Sequence, residues 1–502
     1  MAGPRGRPDN RPCDPVLVSN LRLAGLLLVA AFLSVAQERS RQPGSGDGLP
    51  WVFVQAPEVA ALNAIADKDR FPRGSRIVLF TPPEQGGKVL SLTPDFWSAA
   101  DPQVSFDGKS ILFAGRRAKR DSWQIWEMAV DGRHKRRLTS CAGDCLKPAY
   151  LPGNRIAFTQ VRWAGNRPQG RVRVAQRDGS GAHPITFGRT SFELASVLRD
   201  GRLLLLGRHS WGGSQNGSSV ELYTVWPDGT GLASLRCEHD PNVARTTARE
   251  TEDGSIVFIK SSYTDASAGA LAEIARGSQG NSVFGGAEGL YLSVQPLRHD
   301  KFVVAWRPGR TGSRSATHPS RYELRHLERT KSGPGRLMYR HPRLHSFDAV
   351  PVAAHPQPRL FPSILNRSKK TGTLIGLNSY LSSTERLVPG AIQKVRVLAQ
   401  DEVAGGIRIL GVAPVAADGS FFLEVPADTP LRLELLDASE RPLAAQKSWF
   451  WVRPGENRAC VGCHEDRALA PENTVPQILS RKDVPFRLTG QGTPERVAQQ
   501  QE

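Results

Sequence analysis

The sequence predicts an all-β protein: a six-bladed β-propeller, then a small β-sandwich, then a short C-terminal segment carrying a cysteine–histidine motif. Three observations predict it. An aspartate-glycine turn leading into a β-rich run recurs from Arg76 to about Arg340, a second Asp-Gly series interlocks with the first, and β patterning resumes at Thr371 after a proline-rich gap. With 502 residues, 39% hydrophobic and 23% charged, the chain is long enough for about three domains with their own cores, and its composition excludes a disordered chain, a coiled coil and a polytopic membrane protein.

The first residues read as an address rather than as fold. Arg5, Arg7 and Arg11 precede the 14-residue apolar run Leu23 to Ala36, which is short for a hydrocarbon core of ~30 Å but suits a signal-peptide h-region. Ser34-Val35-Ala36 supplies small residues at −3 and −1, so cleavage is expected after Ala36, with an uncleaved anchor as the alternative and the only expected membrane contact. Either way the body is expected to be periplasmic or secreted. The net charge of +18 is then read as solvated basic loops, with no nucleic acid as partner: no aromatic residues interleave with the runs at Arg116 to Arg120 and Arg133 to Arg137.

After a linker, 37–75, the propeller is placed at 76–345. Phe106-Asp107-Gly108, Pro152-Gly153-Asn154, Asp200-Gly201, Asp253-Gly254 and the weaker His299-Asp300 each precede a short apolar run. Asp131-Gly132, Asp178-Gly179 and Asp228-Gly229 form the second series, spaced 47 and 50 residues apart. Asp-Gly between apolar runs signals a type I′ hairpin, with positive φ at both central residues, and two hairpins per 45–50 residues make a four-stranded blade. The phrase Asp101-Pro102-Gln103-Val104-Ser105-Phe106-Asp107-Gly108-Lys109, with Ile125-Trp126 and Arg137-Leu138-Thr139 downstream, resembles the WD40-like repeats of the TolB propeller family. That resemblance implies a fold and a surface for binding other envelope proteins, and says little about chemistry.

Cys141 and Cys145 lie between two repeat units, and a disulfide across this CxxxC is expected, a metal site being the alternative. Cys237-Glu238-His239-Asp240 gathers potential ligands, but adjacent side chains rarely converge on one ion, so a loop with a semi-buried thiol is expected there. Residues 346–370 hold Pro351, Pro356, Pro358 and Pro362 without a period and read as an extended connector. From 371 to 453, runs such as Thr373 to Leu377, Ile392 to Leu398, Phe421 to Val425 and Ser448 to Val452 predict a small antiparallel sandwich.

The segment 454–502 carries the chemistry. Cys460-Val461-Gly462-Cys463-His464 is CxxCH, a pattern that composition alone would produce about 0.002 times in this chain. Two thiols at that spacing can form thioethers to both vinyl groups of one haem c, and the adjacent His464 is then the expected axial ligand of the iron. A CxxC disulfide or half of a zinc site is the plainer reading, but no second CxxC or His pair lies nearby. Residues 465–502 contain no His, Met, Cys, Tyr or Trp, so the sixth iron position is expected to be open, or filled by Lys482, by a propeller His or Tyr, or by Tyr380. An open iron favours small-molecule chemistry, and a protein-ligated one favours electron transfer to a redox partner protein.

Several runs of the C-terminal third carry a second resemblance: Lys369 to Leu374, Gly390 to Leu398, Ala417 to Phe421, Pro426 to Leu431 and Ser448 to Glu465. Together they resemble the haem-c-bearing middle domain of the hydrazine synthase alpha subunit family, in which a propeller precedes that domain. The resemblance implies redox chemistry on small nitrogen species within a multi-subunit assembly. The alternative is a TolB-like propeller that scaffolds envelope proteins without catalysis.

Overall fold

The computed structural model describes residues 48–488 apart from 60–70, 72, 165–166, 212–216, 236–239, 264, 279, 286–287, 310–319, 332, 383–386, 402–405, 464–473 and 481–484. The expected leader at 1–36, together with Cys237, His239, His464 and Lys482, therefore lies outside the described residues.

From Trp51 to Pro351 the strands fall into groups of four. One sheet runs Ser98–Val104, Ser110–Arg116, Gln124–Ala129, Arg136–Arg137, and the next Asp144–Leu151, Arg155–Ala164, Arg167–Gln176, His183–Pro184. Twelve strands from Ser191–Val197 to Arg336–Tyr339 make three further meanders, joined only by the single pairs Val220↔Ala244 and Gly269↔Tyr291. The leading strands of successive groups neighbour one another, and the ring closes where Gly289–Pro296 meets His345–Pro351. His345–Pro351 pairs antiparallel with Trp51–Ala56, followed in the same sheet by Arg76–Phe80 and Val89–Ser91. Backbone hydrogen bonds between the first and last strands of the propeller thus fasten the ring. The sequence reading began the propeller at 76 and ended it at 345; the closing sheet takes one strand from beyond each boundary, because neither carries an Asp-Gly turn that would reveal it.

Each leading strand is bulged. Register shifts fall at Ala100/Gln103, Leu146/Ala149, Leu194/Ser196, Thr246/Arg249 and Tyr291/Ser293, and in the closing pair at Val52/Val54. Asp101, Lys147, Thr247 and Asp348 take φ of 56°, 51°, 47° and 52° there. An extra residue bends a strand and sharpens its twist, which suits the crowded axis of a ring. The bulges also interlock: Asp101 accepts from the Lys147 amide at 3.1 Å and meets its ammonium at 2.9 Å.

The Asp-Gly turns differ from the predicted type I′ form. The glycines are left-handed (Gly108 73°, Gly132 83°, Gly201 93°), but the aspartates before them are not among the positive-φ residues. Each carboxylate instead accepts the backbone N–H two residues on, as Asp107 does from Lys109 at 3.1 Å and Asp228 from Thr230 at 3.0 Å. The side chain replaces a backbone turn, so only the glycine need be left-handed. Two consecutive positive φ values occur where Asp-Gly is absent, at Gly153-Asn154 (74°, 56°) and His299-Asp300 (57°, 55°).

The connector is extended but not loose. It crosses the turns of successive blades: a Cβ on Gly108 would meet the Ala354 nitrogen at 2.8 Å, and one on Gly201 the Arg359 oxygen at 2.4 Å. The Phe361 ring lies 4.5 Å from that of Trp226.

Two four-stranded sheets follow. One is ordered Asn457–Cys460, Thr371–Gly376, Phe421–Pro426, Phe486–Arg487, and the other Ile407–Pro414, Lys394–Gln400, Leu431–Leu436, Pro442–Ala445. Alternate residues such as Leu374, Leu423, Val425, Leu431 and Leu433 are buried between them. Both edge strands of the first sheet pair parallel, unlike the antiparallel sandwich expected. Ser448 to Val452 is not a strand; it is tied to Leu431 by an isolated bridge at Phe450. Its Trp451 is buried against the propeller, donating from Nε1 to the Gly229 carbonyl at 2.9 Å between the edges of Phe187 and Phe192. Sandwich residues and propeller residues such as Leu194, Leu205 and Val225 share one apolar core.

Candidate functional site

The motif begins inside the sandwich rather than beyond it. Asn457–Cys460 pairs parallel with Thr371–Gly376, bringing Cys460 opposite Gly376 at the end of an edge strand. The chain then turns along residues 377–381: Leu377 and Asn378 donate to the carbonyls of Cys460 and Val461 at 2.9 and 3.1 Å, and the Cys463 amide donates to the Leu381 carbonyl at 2.9 Å. A Cβ on Gly462 would stand 2.4 Å from the Leu381 oxygen, so this turn of CxxCH requires glycine for its close approach.

Glu456 sets the entry to this strand. It accepts from the Gly231 amide at 2.9 Å and from the Arg453 amide at 2.7 Å, and burial pushes its carboxyl above the usual range. Arg458 donates to the Leu232 carbonyl and lies over the Phe450 ring at 5.1 Å. The motif is thus held by the propeller as well as by the sandwich.

Cys460 and Cys463 are half-buried, not joined to each other, and both line one cavity of about 410 Å³. Phe421, Leu433, Leu435, Ala444, Trp449 and Phe450 make its apolar wall, with Lys447 and Arg458 among its cationic groups. The propeller completes the cavity with Tyr223 and residues 232–234. The residues present would suit a haem c: both cysteines line the same space, apolar surface could receive a porphyrin face, and Lys447 and Arg458 could meet propionates. Trp449 lies at the wall, whereas Trp451 is spent on the interface. Tyr380 is directed elsewhere, its hydroxyl bonded to the Gly390 amide at 2.8 Å and the Ile392 carbonyl at 3.3 Å. Among the described residues no group of three His, Cys, Asp or Glu side chains could hold a metal ion.

Cys141 and Cys145 lie in the propeller, their Cα atoms 6.2 Å apart and their sulfurs joined. Cys145 is fully buried in the leading strand Asp144–Leu151.

Sequence reasoning missed the propeller's share of the cavity. Tyr223 and Leu232 flank Asp228-Gly229 and read there as ordinary blade residues; only docking of the sandwich turns them toward the cysteines. The adjoining Gly229 was a usable signal, because its φ of 89° and the near approach of Arg453 both depend on the missing side chain.

Comparison with known proteins agrees with this architecture. The family model "Hydrazine synthase alpha subunit middle domain" matches residues 381–465, which include the whole CxxCH motif. The hydrazine synthase subunit alpha of Kuenenia stuttgartiensis is 24% identical over 532 aligned positions, covering 82% of this chain and 65% of the relative, so the chain spans somewhat less than two thirds of that protein. The solved Kuenenia stuttgartiensis hydrazine synthase superposes with a TM-score of 0.76 at 20% identity, over 86% of this chain and 71% of that one, which establishes a common fold. TolB from Acinetobacter baumannii matches at 13% identity over 59% of this chain and 68% of that one, with a TM-score of 0.36. In its matched segment, its relative and its fold, the chain is similar to the hydrazine synthase alpha subunit: a β-propeller joined to a sandwich whose residues 381–465 match that middle-domain model.

Proposed function

We propose that the chain is an exported mono-haem c-type protein that transfers electrons or carries out redox chemistry on a small molecule at the haem, small nitrogen compounds among them. The observation that carries this reading is the convergence of Cys460 and Cys463 on one apolar-walled cavity closed by two domains. Those two thiols would hold the group as thioethers, and His464, next in the chain, would be the axial ligand. Bound there, a haem supplies a one-electron couple and a metal site for a small ligand.

The protein's own residues do the rest. Phe421, Trp449 and Phe450 would exclude water from a bound porphyrin face, which would strengthen the charge interactions inside. Arg458, fixed on Phe450 and the Leu232 carbonyl, offers a positioned cation to a propionate. Gly462 and Leu381 hold the two thiols on one side of the cavity.

The test is direct. The full chain is produced with its leader in a host that attaches haem outside the cytoplasm, and the envelope fraction is purified. A Soret band surviving acid–acetone extraction and an intact mass increased by one haem are expected. A colourless protein of unmodified mass overturns the reading and leaves the propeller as a scaffold.

A further inference from the structure

The cavity has one polar feature that haem attachment does not use. Tyr223, on the strand Gly217–Val225, lines it with its phenol hydrogen-bonded to Nε2 of His209 on the neighbouring strand Leu203–Trp211, at 2.6 Å. The ring is held in place: Phe192 packs edge-on at 5.5 Å, and a Cβ on Gly207 would stand 2.7 Å from it. Ser448 also stands at the cavity wall. His209 is only half-buried, so the pair joins the cavity to a basic nitrogen nearer the surface.

We infer that Tyr223 and His209 are the proton-transfer pair of this cavity, moving a proton between a small molecule bound beside the haem and the His209 imidazole. The inference rests on the proposed haem site. A tyrosine lining the cavity with a base 2.6 Å from its phenol oxygen is the geometry a two-step relay requires. For a weak acid HX entering the cavity, the H–X bond breaks and its proton passes to the Tyr223 oxygen. The phenol's own proton passes to Nε2 of neutral His209, and X⁻ remains in the cavity. One proton crosses and no electrons move. Burial and the nearby Glu221 carboxylate push the phenol well above its ordinary pKa, so Tyr223 passes protons without resting as a phenolate. The ligand class implied is a small protonated molecule that must lose or gain a proton as it binds or reacts.

Hydrogen cyanide tests this, because it binds ferric haem as the anion and must shed its proton, whereas carbon monoxide binds ferrous haem with none to shed. Stopped-flow association of both probes is measured at pH 7 on the full-length haem-loaded protein and on Tyr223→Phe and His209→Gln. His209→Gln keeps a hydrogen-bonding group for the phenol but cannot take up the proton. Cyanide association is expected to slow at least tenfold in both variants, with carbon monoxide association and the Soret maximum unchanged. Wild-type cyanide rates in either variant overturn the inference, as does equal slowing of both probes, which would mean altered access. A haem-loaded wild-type protein that binds neither probe overturns it too, since the pair would face no open site. A protein without haem fails earlier, at the Soret band, and sinks the proposed function along with this inference.

Discussion

Two cysteine pairs sit in this molecule with almost the same spacing and opposite fates. Cys141 and Cys145 are joined, with Cys145 fully buried at the leading strand of a blade. Cys460 and Cys463, one residue closer in sequence, are not joined to each other and line a cavity. Spacing alone does not decide between them. The first pair closes a short turn into a packed strand, with Cys145 fully buried and Cys141 half-buried beside it. The second is held along residues 377–381 by backbone hydrogen bonds, with apolar surface and cations arranged across an open space. What surrounds a pair of thiols determines whether they meet each other or a third party.

Breaking each pair sharpens the contrast. Replacing Cys460 and Cys463 together by alanine is expected to abolish covalent haem entirely, read as loss of the acid–acetone-resistant Soret band, while the circular dichroism of the β fold persists. Trp451→Ala attacks the frame that brings the propeller wall to the second pair. It empties a fully buried indole site and removes the bond to Gly229, and a loss of about 3–5 kcal/mol is expected in denaturant unfolding, with lower haem occupancy. Replacing Cys141 and Cys145 by alanine should cost only about 2 kcal/mol, because the loop they close is short, and should leave haem content unchanged. A fall in haem content there would contradict the separation of the two sites.

A further test reaches the ring's fastening, far from both pairs. His345 begins the closing strand, accepts at Nδ1 from the Tyr322 amide at 3.2 Å, and meets the Arg321 guanidinium at 3.0 Å with Arg307 beyond. Burial, then Arg321 and Arg307, lowers its pKa to about 4 from the ordinary 6.5. The folded protein therefore binds fewer protons than the unfolded chain between those values, so this stability is complete above pH 6.5 and is lost as the pH falls toward 4. Thermal melting across that interval should drop more steeply for the wild type than for His345→Gln; parallel curves would show that His345 does not titrate on unfolding.

Much of the plan was legible because it is local. Asp-Gly turns announce hairpins wherever they fall, alternating apolar residues such as Leu374 and Leu423 announce a half-buried sheet, and CxxCH is complete within five residues. The turn type was misjudged at Asp107 and Asp228 because a side-chain hydrogen bond replaced a backbone conformation. The bulges at Asp101, Lys147 and Asp348 were missed because they answer to crowding at the ring's axis, which no local window contains.

The sequence by itself determined the repeating hairpins, the β character of both halves and the cysteines available for chemistry, since short-range backbone preferences and apolar periodicity suffice for these. Tertiary structure alone decided that the propeller's first and last strands would share one sheet, that Trp451 would bury itself against Gly229, and that Tyr223 would share a cavity with Cys460 and Cys463. Those outcomes depend on contacts between residues more than two hundred positions apart, and they exist only once two separately patterned surfaces have packed together and expelled the water between them.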